Sequence, residues 1–66
     1  MGRIRRGGYF IVWWIGDHDP RHVHVYDSSE RFLGRVVIPS GEPMDDWKPT
    51  RKVLEIIAEL IKEGRL

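Results

Sequence analysis

Three histidines, His18, His22 and His24, lie within seven residues of one another in the run Gly16-Asp17-His18-Asp19-Pro20-Arg21-His22-Val23-His24-Val25-Tyr26, and the 66-residue chain holds no others. An imidazole titrates near pH ~6.5, binds metals through a neutral ring nitrogen and passes protons in either direction. Grouped with two carboxylates, an arginine and a tyrosine, these rings support three kinds of role. As a metal site, His22 and His24 project to one side of a strand, and His18 folds back across the proline turn as a third ligand with Asp17 or Asp19, a set that suits zinc, nickel or iron without cysteine. As a metal-independent catalytic site, His22 and His24 divide the parts of base and acid in RNA cleavage. Tyr26 then donates, and Arg21 or Arg35 holds the phosphoryl oxygens with its planar fork. As structure, Asp17, His18, Asp19 and Pro20 build a rigid turn, and His24 makes a hydrogen bond toward a partner.

The geometry of these roles depends on the elements that carry the rings. Tyr9 to Ile15 is an unbroken run of aromatic and β-branched residues closed by Gly16-Asp17, the pattern of a strand. His22 to Tyr26 alternates with period two, which places His22, His24 and Tyr26 on one face and Val23 and Val25 on the other. At ~3.3 Å rise per residue the two strand imidazoles stand about 6 to 7 Å apart, a span that flanks one phosphodiester. Asp27-Ser28-Ser29-Glu30 supplies a turn, and Arg31 to Ile38 forms a third strand in which Phe32, Gly34, Val36 and Ile38 oppose Arg31, Leu33, Arg35 and Val37. Pro39 to Pro43 ends the sheet, since proline cannot donate to a ladder.

After a loop through Trp47, expected as a lid over the helix start, Thr50 caps a helix whose Val53, Leu54, Ile57, Leu60 and Ile61 recur at three-to-four spacing and which Gly64 ends. The resulting expectation is an α+β fold, a three-stranded antiparallel sheet with one C-terminal amphipathic helix packed on one face. Val23, Val25, Phe32, Val36 and Ile38 would meet the helix. The opposite face, with His22, His24, Tyr26, Leu33, Arg35 and one of Trp13 or Trp14, stays open. An open polar and aromatic face on so small a domain marks a partner, a second copy of the chain or a nucleic acid.

Composition narrows the class. The net charge is +1, well short of the excess usual for a duplex-binding domain. Arg3, Arg5 and Arg6 nevertheless crowd the region before Gly7-Gly8, so residues 1–8 read as a basic, flexible arm on a single domain spanning 1–66, able to touch phosphates. There is no cysteine, no apolar run approaches the ~20 residues that span a bilayer, and Arg6 stands where an N-myristoylation motif wants Ser or Thr. The reading is a cytoplasmic protein without membrane attachment and without an obligatory cofactor, a divalent metal entering only through the histidine set.

In Trp13-Trp14, Asp17-His18-Asp19-Pro20-Arg21-His22-Val23-His24-Val25, Gly34-Arg35-Val36, Pro49 and the helix after it, the chain resembles a bacterial family, domain-of-unknown-function family 4160. Members of that family carry an aromatic strand, a turn of the form Asp-His-x-Pro-x-His-x-His, a short hairpin and a helix introduced by proline. The chain departs from it at Arg21, where a second proline is common, and at Val23, where an aromatic residue is. The resemblance implies a toxin component of a type II toxin–antitoxin module, paired with a small antitoxin-like protein of family 2442. It also raises the ribonuclease or RNA-binding role, with His22, His24, Tyr26 and Arg35 in the catalytic part and Arg3, Arg5, Arg6, Trp13, Trp14, His18 and Arg21 binding nucleic acid or partner. The alternative is a non-enzymatic interaction module whose histidine face docks onto a protein or onto its own copy.

Overall fold

The computed structural model describes residues 2–14 and 21–66; residues 1 and 15–20, and with them the turn expected at Asp17 to Pro20 and His18, lie outside the described residues. The chain forms β1 (Gly2–Arg6), β2 (Tyr9–Trp13), β3 (His22–Asp27), β4 (Phe32–Val37) and α1 (Arg51–Lys62). The strands make one antiparallel sheet in the order β1-β2-β3-β4, four strands where the sequence suggested three. The added strand is the supposed arm. Gly7 and Gly8 have φ of 61° and 86°, the left-handed pair that a tight two-residue hairpin demands, so they fold Arg3, Arg5 and Arg6 back onto β2 instead of releasing them. Ile4, alternating with the arginines, packs against the core.

The helix covers one face of this sheet. Ile11, Val23, Val25, Val36 and Ile38 from the sheet meet Val53, Ile56, Ile57 and Leu60 from α1 in one buried cluster, and burying each such aliphatic side chain contributes roughly 1.5–3 kcal/mol. The apolar stripe of α1 is rotated from the expected one. Ile56 is buried, whereas Leu54 is exposed beside Pro39 and Gly41. Thr50 caps the helix as its spacing indicated, its hydroxyl accepting from the Val53 N–H at 3.2 Å. At the far end, Arg6 on β1 donates two hydrogen bonds to the Glu63 carboxylate, 2.8 and 3.0 Å, and ties the first strand to the end of the helix.

A bulge between Val25 and Tyr26 changes the face of one residue. Val25 lies opposite Gly34 but Tyr26 lies opposite Phe32, so Leu33 is the extra residue and Phe32 turns to the open face, not toward the helix. Asp27 holds the turn that follows: its carboxylate accepts from the N–H groups of Ser29 and Arg31 at 2.8 and 3.0 Å.

The outer edge of β4 is closed by the chain itself. Val37 donates to the Glu42 carbonyl and accepts from Gly41, while Arg35 accepts from Met44 and donates its N–H to Asp45 Oδ2. Trp47 completes this cover, its indole N–H reaching the Arg35 carbonyl at 3.0 Å. It lies over Gly34 and packs against the core, and a Cβ at Gly34 would collide with its indole, so only glycine permits the approach.

Candidate nucleic-acid interface on the uncovered sheet face

Strand alternation sends the side chains between the core positions to the face away from α1. The register aligns them in rows: Arg3, Val12, His24 and Arg35 across one line, Arg5, Phe10, Tyr26 and Phe32 across the next, with His22 opposite Val37. Rings dominate. His22 and His24 have centroids 5.2 Å apart, Trp14 meets His24 edge to face at 4.5 Å, and Phe32 lies 6.0 Å from His24 and 5.5 Å from Tyr26. Phe32 is 52% exposed and Trp14 40%, so flat apolar surface is presented to solvent.

The cations divide into engaged and available ones. Arg35 is bound to Asp45, its Nε at 3.1 Å from Oδ2 and its Nη2 at 2.8 Å from Oδ1, in addition to the backbone bond. Those side-chain hydrogen bonds and the accompanying charge attraction push the Arg35 guanidinium further up, and they hold the Asp45 carboxyl below the usual carboxylate range, with a smaller Coulombic contribution from His24. Arg35 is thus held side-on by Asp45 through Nε and Nη2, with its charge matched. Arg3 and Arg5 converge on the Phe10 ring, 4.5 and 5.6 Å from its centroid. Arg3 also pairs with Glu30, whereas no carboxylate among the described residues pairs with Arg5. Arg3, Phe10, Val12, Trp14, Tyr26 and Glu30 line a groove of ≈ 210 Å³, smaller than the ~300–1,000 Å³ of pockets that enclose a whole small ligand and suited to one flat ring.

The residues singled out from the sequence therefore separate. His22, His24, Tyr26, Trp14, Arg3 and Arg5 share the uncovered face, and Arg35 joins it with its charge matched. Trp13 lies on the helix side against the core. Arg6 is committed to Glu63, whose carboxyl it holds below the ordinary range through their hydrogen bonds. Arg21 is exposed just before β3, and its carbonyl accepts from Ile38. Among the described residues no group of three potential metal ligands gathers, and the third imidazole of the proposed metal set, His18, lies outside them.

Phe10, Phe32, Glu30 and Asp45 are members of the site that the sequence did not single out. Phe10 and Phe32 were legible only with the register and bulge known. Asp45 follows Arg35 by ten residues and returns to it because the Pro39 to Pro43 turn runs the chain back along β4. No family model, no curated protein and no solved structure matches the chain. Among the described residues no helix is long and apolar enough to cross a membrane.

Proposed function

We propose that the protein binds single-stranded RNA on the uncovered face of its sheet and cleaves it there without a metal, as the toxin component of a bacterial toxin–antitoxin pair. The observation that carries this reading is the contiguous set of rings, Trp14, His24, His22, Phe32 and Tyr26, flanked by Arg3 and Arg5 over Phe10. Unpaired bases stack on aromatic faces for about 1–3 kcal/mol each, and guanidinium groups alongside follow the phosphates. A duplex, whose bases are already stacked, gains nothing from such a platform.

In the cleavage step one imidazole of the His22 and His24 pair takes the ribose 2′-hydroxyl proton as the 2′-oxygen attacks phosphorus. The other imidazole gives a proton to the departing 5′-oxygen, leaving a 2′,3′-cyclic phosphate and a 5′-hydroxyl. This division requires one neutral and one protonated ring, so the rate should follow a bell-shaped pH profile. Arg5 is the cation best placed for phosphate, since Asp45 already holds Arg35.

The test is cleavage of a fluorescent single-stranded RNA in the presence of EDTA. His22→Ala and His24→Ala should each lower cleavage at least 100-fold when measured on RNA saturated with protein, so that any loss of stacking affinity does not enter the rate. Unchanged cleavage in either variant, or no binding by the parent, would refute the reading. A protein partner on the same face is the second reading, favoured by the exposure of Phe32 and Trp14. It predicts that these substitutions weaken association with that partner while no RNA is cut at any concentration.

A further inference from the structure

The two edges of the sheet are treated differently. Every outward N–H and C=O of Arg35 and Val37 on β4 is satisfied by residues 41–47, through Gly41, Glu42, Met44, Asp45 and Trp47. Among the described residues no equivalent cover lies along β1. In a hairpin closed by two residues, the pair flanking the turn exchanges both backbone hydrogen bonds and every second pair repeats this. Arg6 with Tyr9, Ile4 with Ile11 and Gly2 with Trp13 are therefore the bonded pairs, and the N–H and C=O groups of Arg3 and Arg5 point away from the sheet. Among the described residues β1 has β2 as its single strand neighbour.

We infer that β1 is a docking edge for an extended acidic segment of another protein, which adds as a fifth strand with carboxylates at alternate positions facing Arg3 and Arg5. Backbone pairing with the two outward residues supplies attachment, and side chains of the added strand supply selectivity. The charge pattern chooses the occupant. A second copy of β1 paired antiparallel about Ile4 would set Arg3 against Arg5 and Arg5 against Arg3, and like charges directly opposite destabilise a ladder. An acidic strand meets the same two guanidiniums favourably. Arg3 already pairs with one carboxylate, that of Glu30, across the uncovered face, so Arg5 is the guanidinium of β1 on this face that no carboxylate among the described residues matches. On the helix side the added strand lies beside Ile4, so an apolar residue belongs between the two acidic ones.

This inference stands independently of RNA binding on the face, and the experiment separates the two. A 66-residue chain is within reach of chemical synthesis, so the Arg5 backbone nitrogen can be methylated, removing its outward N–H while keeping the guanidinium. The probe is an acetylated, amidated heptapeptide alternating glutamate with valine, followed by amide hydrogen exchange and NMR titration of the intact protein. Binding should slow exchange at the Arg3 and Arg5 amides at least tenfold. N-methylation should weaken the peptide at least tenfold, and the exchange changes should map to the β1 backbone and not to the aromatic face.

Arg5→Glu, which leaves the ladder to β2 intact, should invert the preference in favour of a peptide alternating lysine with valine. The inference is overturned by equal binding of the glutamate and lysine peptides to the parent protein, by perturbation confined to the aromatic face or the helix, or by concentration-dependent dimerisation that protects Arg3 and Arg5 without peptide.

Discussion

Asp45 anchors one side of the site through three hydrogen bonds to a single residue, Arg35, and Glu63 does the corresponding work for Arg6. Both carboxyls are held below the usual range by these bonds. For groups with depressed folded values, the stabilisation is complete above the range in which the unfolded chain's carboxylates titrate and is lost as pH falls through the folded values. Urea midpoints should therefore drop on acidification, and the double variant Asp45→Asn, Glu63→Gln should show a flatter acid limb at a lower plateau. Equal slopes would separate these pairs from the acid sensitivity. Arg5 makes a different contribution, since no carboxylate among the described residues matches it. If it contacts one phosphate, Arg5→Ala should reduce the slope of log affinity against log salt by about 0.7, the value per contact for single strands. That measurement also distinguishes a phosphate contact from stacking, which salt scarcely affects.

At the scale of elements, Gly34 and Trp47 form a single fitted contact behind β4. Gly34→Ala should displace the indole from the Arg35 carbonyl and destabilise by about 1–3 kcal/mol, read from urea unfolding together with a shifted Trp47 indole resonance. Thr50→Ala should cost about 1 kcal/mol through loss of the helix cap, without altering the face.

How far these elements were legible depended on whether their determinants are local. Period-two alternation in His22 to Tyr26 placed both imidazoles away from the helix, and Thr50 with the apolar repeat after it located α1; each signal lies within a few residues. β1 was hidden because three arginines in five residues resemble a solvated tail, and Ile4 alone shows that the segment has an inner side. Alternation alone points Phe32 toward the helix, whereas the bulge adds one residue and turns it to the open face without marking the sequence. The pairing of Arg35 with Asp45 was equally hidden, being the product of a turn that brings the chain back along β4.

For the whole molecule, the order of pairing matters as much as the contents of the faces. β1 joins β2, β2 joins β3 and β3 joins β4, so each ladder closes between segments adjacent along the chain. Only the helix must travel, crossing the finished sheet to bring Ile56 near Gly7 and Glu63 to Arg6. Loop-closure entropy is small for the first kind of event and larger for the last. Zippering of successive hairpins should precede helix docking. Kinetic φ-values should be high for conservative changes at Ile11 and Val25 and near zero at Leu60, where truncation accelerates unfolding instead.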